Sequence, residues 1–149
     1  MWRLLLLALA ISFSLSGNAL DNKDTESLIQ QSYEQTTAGN LDDALVTLQQ
    51  AAQEAPDSSL VRTRLGGIRV LRKEYSKGIK DFQQAIMLDQ KNTSAFIGMA
   101  VAYLHMGQYN LAQAALEEAG KLDPTKKPEI SKVQAWIEQR TSKATISTH

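Results

Sequence analysis

The sequence predicts an all-α fold built from pairs of helices. Apolar residues recur at intervals of three and four positions, which is the periodicity of a helix rather than of a strand. Residues of similar size also return in register every 34 positions. The chain has 149 residues, no cysteine and a formal net charge of zero. It is long enough for one domain and has no disulfide framework, so we expect packed helices to supply its stability.

Four columns of residues repeat at this offset. Two columns hold small residues, one on each helix of a pair, and these let the two backbones approach where the helices cross. A third column places large apolar residues beside each crossing. A fourth holds alanines, whose small side chains leave room for the next helix pair to pack. The members of the four columns are Ser32, Gly66 and Ala100; Ala44, Gly78 and Ala112; Leu48, Phe82 and Leu116; and Ala51, Ala85 and Ala119.

Turn and stop residues separate the helices. Gly39 and Gly107 are predicted to lie in turns between the two helices of a pair. Other residues end one pair or cap the helix that follows it. These residues are Pro56 and Pro124 as stops, and Ser58 and Asn92 or Thr93 as caps.

This pattern resembles the tetratricopeptide repeat, a helix–turn–helix unit of about 34 residues. The third repeat matches best, and its matching residues are Phe96, Met99, Ala100, Tyr103, Gly107, Tyr109, Ala112, Leu116, Ala119 and Pro124. The resemblance implies an α-α superhelix, or solenoid, of three repeats at 25–58, 59–92 and 93–126. Departures from the family pattern are Gly78 in place of alanine, Gln90 in place of proline, and Gln31 and Gln35 at positions that are normally apolar.

A repeat array needs a terminal cap, because its last unit otherwise exposes an apolar face. Residues 127–142 are predicted to form a capping helix, with an inward stripe of Ile130, Val133 and Ile137 and with Trp136 as its anchor. The tail 143–149 is expected to be disordered. The chain downstream of residue 24 is thus predicted to contain seven helices, three pairs and a cap.

Residues 1–19 have the layout of a secretory signal peptide. Arg3 supplies a positive charge, residues 4–15 form a short apolar run, and small residues precede a predicted cleavage site after Ala19. We expect an exported protein, periplasmic in a Gram-negative bacterium and otherwise secreted, that begins with a short linker at 20–24. The alternative is that the segment is retained as an N-terminal anchor. No later segment is apolar enough to span a membrane.

The sequence offers no constellation for catalysis. His105 stands alone, most simply as a solvated side chain, and no cluster of His, Asp or Glu has metal-ligand spacing. We therefore expect no enzymatic activity, no cofactor and no metal site. Asn92-Thr93-Ser94 satisfies the glycosylation rule and matters only if the source is eukaryotic. Zero net charge argues against non-specific nucleic-acid binding.

Binding of a partner protein is the function that the resemblance implies. In the family the first helices of the repeats line a concave groove, whose positions here are Ile29, Tyr33, Thr36, Thr63, Gly67, Val70, Ile97, Val101, Leu104 and His105. One branch of the family uses Lys, Arg and Asn at such positions to hold a terminal carboxylate. Apolar residues here instead suit an amphipathic helix or an extended apolar segment. A neighbouring helix or a second copy of the chain could equally cover the groove. The alternative functions are a structural subunit of a larger complex, an exported enzyme and an apolar-ligand carrier.

The charges are unevenly distributed. Residues 20–58 hold eight acidic residues and one basic residue, whereas residues 59–149 hold eight acidic and 14 basic residues. Five of the basic residues lie close together in the second repeat: Arg62, Arg64, Arg69, Arg72 and Lys73. One interpretation is that their stems cover apolar surface and their heads pair with acids of the first repeat. A second is that the opposite charges support head-to-tail self-association, and a third is that the basic helix binds an acidic partner.

Overall fold

The structure is a computed structural model that describes residues 23–146, with side chains described as far as residue 142. The predicted signal peptide, the first part of the predicted linker and residues 147–149 lie outside the described residues. Residues 23 and 24, which the sequence places in the linker, already belong to a helix. The chain divides into two compact units, Met1–Asp57 and Ser58–His149, where its length predicts one domain. Repeats of this kind contact mainly their neighbours, so an array does not need a single shared core.

The first unit contains one helix pair within its described part. Helix α1 covers residues 23–37 and helix α2 covers Leu41–Glu54. Ser32 of α1 and Ala44, Leu48 and Ala51 of α2 are buried. Helix α2 ends just before Pro56, which lacks the backbone N–H that a continuing helix would need.

The second unit contains two helix pairs followed by a further helix. Its helices are α3 (Ser59–Leu71), α4 (Tyr75–Leu88), α5 (Thr93–His105), α6 (Tyr109–Leu122) and α7 (Lys127–Ile146), with a 3₁₀ turn at Pro124–Lys126. Within this unit α3 contacts α4 and α5, α4 contacts α5, and α6 contacts both α5 and α7. The prediction of an all-α fold with seven helices is confirmed for residues 23–146, which contain no strand.

Two side-chain caps start the first helices of the second unit. The Ser58 hydroxyl oxygen accepts from the Val61 N–H at 3.2 Å, and the Asn92 side-chain oxygen accepts from the Ala95 N–H at 2.9 Å. Both residues are predicted as caps by the sequence, and the structure selects Asn92 over Thr93. Each cap gives an acceptor to one of the backbone donors that a helix start leaves unpaired.

All three helix pairs close through the same turn. The second residue after each first helix adopts a positive φ, and the N–H of the next residue donates to the carbonyl five residues before it, as in a Schellman motif. Those bonds join Asn40 to Gln35, Glu74 to Arg69 and Gln108 to Tyr103, at 2.8, 2.8 and 2.9 Å. Gly39 and Gly107 hold the positive φ in two turns, at 83° and 70°, whereas Lys73 holds it in the other, at 63°. A side chain with a Cβ is strained in this conformation.

Two glycines allow α3 and α4 to approach closely. A Cβ placed on Gly78 would lie 3.0 Å from the Gly66 carbonyl oxygen. A Cβ on Gly66 would lie 2.7 Å from the Phe82 ring, and one on Gly98 of α5 would lie 2.3 Å from it. Phe82 therefore sits against bare backbone on both α3 and α5. The repeat columns contain Gly66, Gly78 and Phe82, but they give no reason to single out Gly98.

Helix α7 closes the end of the second unit with Ile130 and Ile137, not with Trp136. The two isoleucines join the core of α5 and α6 and are 6% and 1% exposed. Trp136 is 42% exposed, so its prediction as the anchor is wrong. Its ring meets Tyr109 edge-on at 6.2 Å and lies under the Arg140 guanidinium at 4.5 Å. Positions 130, 133 and 137 follow the helical repeat, and position 136 falls beside that stripe.

Helix α7 also ends later than expected. It continues to Ile146, past the predicted end at residue 142. Residues 143–146 contain neither glycine nor proline, so nothing in their backbone chemistry stops a helix. The expectation of a disordered tail is therefore wrong for these four residues.

Candidate functional site

The predicted groove residues of the second unit separate into outward-facing and inward-packed side chains. Val70 packs against the core around Phe82, and Ile97 and Leu104 pack against the core of the third repeat. The Thr63 hydroxyl is hydrogen-bonded to Asn92 and to Ser59. Val101 and His105 are exposed, Val101 at 39%, and Gly67 is half-buried.

Helix α3 presents a continuous outward stripe. Leu60, Arg64, Gly67 and Leu71 follow one another at spacings of four, three and four, so they share one side of the helix. Leu60 is 51% and Leu71 is 56% exposed. Only Gly67 of these four is among the predicted groove residues. The sequence contains the spacing that would have predicted the other three, because each lies one helical turn from Gly67 or from another member of the stripe.

Helix α5 repeats three of these four positions in the next repeat, with Ser94, Val101 and His105 exposed. The fourth, Gly98, is the equivalent of Arg64 and instead lies against the Phe82 ring. Helices α3 and α5 are in contact. We call the set Leu60, Arg64, Gly67, Leu71, Ser94, Val101 and His105 the outward face. Its members on each helix are separated by whole turns.

Hydrogen bonds hold the starts of α3 and α5 together. The Asn92 side-chain N–H₂ donates to the Ser59 hydroxyl at 2.7 Å and to the Thr63 hydroxyl at 2.8 Å. The Ser59 hydroxyl in turn donates to the Ala85 carbonyl at 2.9 Å, and that of Thr63 donates to the Ser59 carbonyl at 2.8 Å. Asn92 thus caps α5 with its oxygen and ties α5 to α3 with its nitrogen. Thr63 is a structural residue here, although the sequence predicts that it lines the groove.

His105 stacks on an aromatic ring. Its imidazole lies parallel to the Tyr75 ring, with centroids 5.0 Å apart and planes within 5°. Tyr75 begins α4 and His105 ends α5, so the contact closes one end of the outward face. His105 is exposed, as expected, but it is a packed side chain and not merely a solvated one.

The basic residues of α3 differ in whether they have acidic partners. Arg69 Nε donates to Asp81 at 2.7 Å, and its Nη1 donates to Glu74 at 3.2 Å. Arg72 Nε donates to Glu74 at 2.7 Å. These two acids lie in the same repeat as the arginines. Among the described residues no acidic side chain pairs with Arg64, which is exposed on the outward face.

The two acids respond to this environment in opposite directions. Hydrogen bonds from Arg72 and Lys77 lower the pKa of Glu74 from 4.5 to about 2. Burial raises the pKa of Asp81 above its ordinary 3.8, against the opposing effect of Arg69. The Asp81 side chain is 12% exposed, compared with 21% for Glu74. At Asp81, the more buried carboxyl, the loss of hydration therefore raises the pKa more than Arg69 lowers it. At Glu74 the hydrogen bonds from Arg72 and Lys77 lower the pKa more than the loss of hydration raises it.

The groove residues predicted in the first unit all lie on α1. Tyr33 is 54% exposed, and Ile29 and Thr36 are half-buried. The Thr36 hydroxyl donates to the Ser32 carbonyl at 2.7 Å, one turn earlier in α1. Such a bond satisfies the hydroxyl locally, which leaves Tyr33 as the large exposed side chain of the three.

Outside the outward face, the described part of the chain holds few groups arranged for metal or ligand binding. No group of three or more His, Cys, Asp or Glu side chains within it is arranged to hold a metal ion. A depression of about 390 Å³ lies between the α5–α6 turn and α7, lined by Gly107, Gln108, Tyr109, Asn110, Leu111 and Thr141. It is wide open and most of its lining side chains carry a polar group, so it does not suit an apolar ligand. Within residues 23–146 no helix is long and apolar enough to cross a membrane.

Comparison with known proteins gives a family match over part of the chain. Residues 69–137 match the family model described as tetratricopeptide repeat. Superkiller protein 3 of Schizosaccharomyces pombe is 37% identical over 62 residues, which is 42% of this chain. The match spans only 4% of that protein's length.

Solved structures show the same fold. The first TPR of Spaghetti (RPAP3), bound to the HSP90 peptide SRMEEVD, is 17% identical, with a TM-score of 0.75 over 80% of this chain and 94% of that one. The Yersinia enterocolitica type III secretion chaperone SycD, in complex with a peptide of the translocator YopD, is 21% identical, with a TM-score of 0.72 over 78% and 93% of the two chains. The repeated helix pairs and the family match identify residues 69–137 as tetratricopeptide repeats, and these neighbours show that the chain has the same fold.

Proposed function

We propose that this protein is a non-enzymatic, exported scaffold that binds a segment of a partner protein on its outward face. The segment would be an amphipathic helix or an extended apolar stretch, and the setting an envelope complex in a bacterium. The exposure of Leu60, Leu71 and Val101 carries the proposal. These three side chains project from helices whose cores are already filled by other residues.

Exposed apolar side chains that cluster on one face are typical of an interaction surface. Removing about half of the surface of Leu60, Leu71 and Val101 from water would each contribute a favourable free energy of about 1 kcal/mol. The rigid helices on which they stand would lose little conformational freedom on binding. The outward face is therefore already arranged to receive a partner.

The comparisons support this class of function. The RPAP3 and SycD structures are both complexes with a peptide. Their sequence identity to this chain is too low to transfer either peptide. The proposal for this chain therefore rests on its own outward face.

The binding test uses a matched pair of surface variants. Affinity capture from the native source, with the full chain as bait, is compared for the wild type and for Leu71→Asp/Val101→Asp. Met87→Asp is the control, because Met87 is 81% exposed on α4 and lies off the outward face. We expect the double variant to lose the captured proteins and the control to retain them. Equal recovery by all three baits would refute the outward face as the binding site.

The stoichiometry of capture separates two kinds of scaffold. One partner recovered in a constant ratio would indicate a structural subunit of a larger complex. Several partners in smaller amounts would indicate an adaptor. Both outcomes leave the binding surface the same.

The proposal of export is supported by residues 1–19, whose charged start, apolar run and small residues up to Ala19 match the layout of a signal peptide. Mass spectrometry of the native protein tests it directly. We expect an N-terminus at Leu20 and recovery from the exported fraction. An N-terminus that retains residues 1–19 in a membrane fraction would instead indicate an anchor.

A further inference from the structure

Gly67 lies in the middle of the outward face without a packing role. A Cβ placed on it would meet nothing within 4 Å, whereas a Cβ on the adjacent Gly66 would lie 2.7 Å from the Phe82 ring. Glycine inside a helix costs about 0.5–1 kcal/mol relative to alanine. The fold therefore explains Gly66 but not Gly67.

The absent side chain leaves a notch in the surface of α3. Leu60 and Leu71 stand two turns before and one turn after it, at 51% and 56% exposure. On α5 the equivalent position is Val101, at 39% exposure. A large apolar side chain of a partner can reach the bare backbone at Gly67 and contact leucine and valine side chains around it.

One positive charge stands beside the notch. Arg64 is exposed and lies one helical turn before Gly67 on the same side of α3. Arg69 and Arg72, in contrast, are held by Glu74 and Asp81. Arg64 is thus the charged residue of the outward face on α3, and its exposed guanidinium is available to a partner carboxylate. The second unit as a whole carries 14 basic and eight acidic residues, which further favours an acidic partner.

We propose that the Gly67 notch is a specificity site for a peptide segment that carries a large apolar residue and a nearby Asp or Glu. The apolar side chain seats over Gly67, between Leu60 and Leu71, and the carboxylate pairs with the Arg64 guanidinium. This inference rests on the proposed function, since it specifies which partner segment the outward face receives. A planar guanidinium can bind a carboxylate through two hydrogen bonds, so it selects for an acid as well as attracting one.

The first experiment finds a probe without assuming a partner. A phage library of random peptides of about twelve residues is selected against the full chain. We expect the selected peptides to share a large apolar residue with an acidic residue within a few positions. A selected set without acidic residues would overturn the proposal.

The second experiment measures one such peptide, labelled with fluorescein, by anisotropy. Gly67→Leu fills the notch where the fold leaves open space, and we expect it to weaken binding by about tenfold or more. Its thermal midpoint should equal or exceed that of the wild type, because leucine is a better helix former than glycine. Gly67→Ala is expected to have a smaller effect on binding and the same effect on stability. Unchanged affinity in Gly67→Leu would overturn the proposal.

A charge exchange tests the role of Arg64. We expect Arg64→Glu to weaken binding of the selected peptide by about tenfold, and a peptide with Lys in place of its acidic residue to recover affinity for this variant alone. Failure of that recovery would overturn the pairing. Met87→Asp is the control for a charge placed elsewhere on the unit and should leave the affinity unchanged.

The outcomes distinguish this inference from the proposed function. Peptides that no longer bind Leu71→Asp/Val101→Asp but bind Gly67→Leu with unchanged affinity would support the outward face as a binding surface and overturn the notch as a specificity site. Peptides that bind all variants equally, or a library that yields no binder, would overturn both.

Discussion

At the scale of single residues, Lys73 holds a backbone conformation that suits glycine. Its equivalents Gly39 and Gly107 occupy the same place in the other two turns, with φ of 83° and 70° against 63° at Lys73. Sequence alone marks the two glycine turns and leaves the middle one without a signal. The repeat geometry imposes the positive φ, because all three turns make the same backbone hydrogen bonds.

We predict that Lys73→Gly stabilises the protein by about 0.5–1 kcal/mol, as strain at Cβ is relieved and only partly offset by the greater freedom of the unfolded chain. Thermal unfolding followed by circular dichroism should show a midpoint about 2–4 °C higher. Lys80→Gly is the control, since Lys80 is exposed within α4. There the same substitution should lower stability by about 1 kcal/mol. A fall in the midpoint of Lys73→Gly would contradict the strain argument.

Asn92 shows how one side chain can serve two purposes that sequence reasoning separates. Its oxygen caps α5, as the sequence predicts, and its nitrogen donates to Ser59 and Thr63 of α3. A glycan would be attached to that same nitrogen. We predict that folded protein is not glycosylated at Asn92 in a eukaryotic host. Intact-mass measurement of secreted, folded protein showing a glycan at this position would contradict the prediction.

At the scale of helices, Phe82 joins α3, α4 and α5 by packing against the bare backbone of Gly66 and Gly98. The sequence predicts a large residue here and a small one at position 66. It does not predict that a second glycine, on the first helix of the next repeat, receives the other side of the ring. That contact depends on how two repeats stack, which no local pattern encodes.

We predict that Gly98→Ala destabilises the protein by about 1–3 kcal/mol, because a Cβ 2.3 Å from the Phe82 ring forces a buried side chain to move. Gly67→Ala, where the new methyl group meets nothing within 4 Å, should instead stabilise it by about 0.5–1 kcal/mol. Urea unfolding measures both. The Phe82→Leu/Gly98→Ala double variant should be less destabilised than the sum of the two single variants. An additive result would show that the ring is not the source of the cost.

The capping helix gives a second test at this scale. We predict that Ile137→Ala, at 1% exposure, costs about 2–4 kcal/mol, whereas Trp136→Ala, at 42% exposure, costs about 1 kcal/mol. Circular dichroism is the suitable signal, since Trp136 is the tryptophan downstream of the predicted signal peptide. A greater loss in Trp136→Ala would restore Trp136 as the anchor of α7.

At the scale of the whole molecule, stability in acid reflects two carboxyls with opposite contributions. Glu74 has its pKa lowered to about 2 in the folded state, so it stabilises the protein above pH 4.5 and loses that contribution as the pH falls towards about 2. Asp81 has its pKa raised, so the folded state takes up a proton before the unfolded state does. Its contribution therefore becomes less favourable as the pH rises from 3.8 through its folded pKa.

We predict that Glu74→Gln makes stability less dependent on pH between 4.5 and about 2. Asp81→Asn should make the acid loss steeper, because it removes a contribution of opposite sign. Urea midpoints measured from about pH 7 down to about pH 2 test both, because the Asp81 effect falls above pH 3.8 and the Glu74 effect below pH 4.5. An unchanged slope in Glu74→Gln would show that its contacts with Arg72 and Lys77 do not persist in solution.

The uneven charge also permits a test of self-association. Residues 20–58 carry eight acids and one base, and residues 59–149 carry 14 bases and eight acids. If copies associate through opposite charges, sedimentation at low salt should show a larger species than at high salt, where the screening length falls to a few ångströms. An identical monomer in both buffers would exclude such association.

The sequence by itself determined the helices, their pairing, the glycine turns and the cap at Ser58, because each depends on residues within one or two turns of each other. It left the cap of α5 open between Asn92 and Thr93. Only the tertiary structure decided which side of each helix faces outward. It turned Val70 inward and Leu71 outward, buried Ile137 instead of Trp136, stacked His105 on Tyr75, and paired Arg69 with Asp81 while leaving Arg64 exposed. Neighbouring positions on a helix differ by about 100° in direction, so a periodic pattern places a face only approximately. The contacts that choose between such neighbours come from helices distant in the chain.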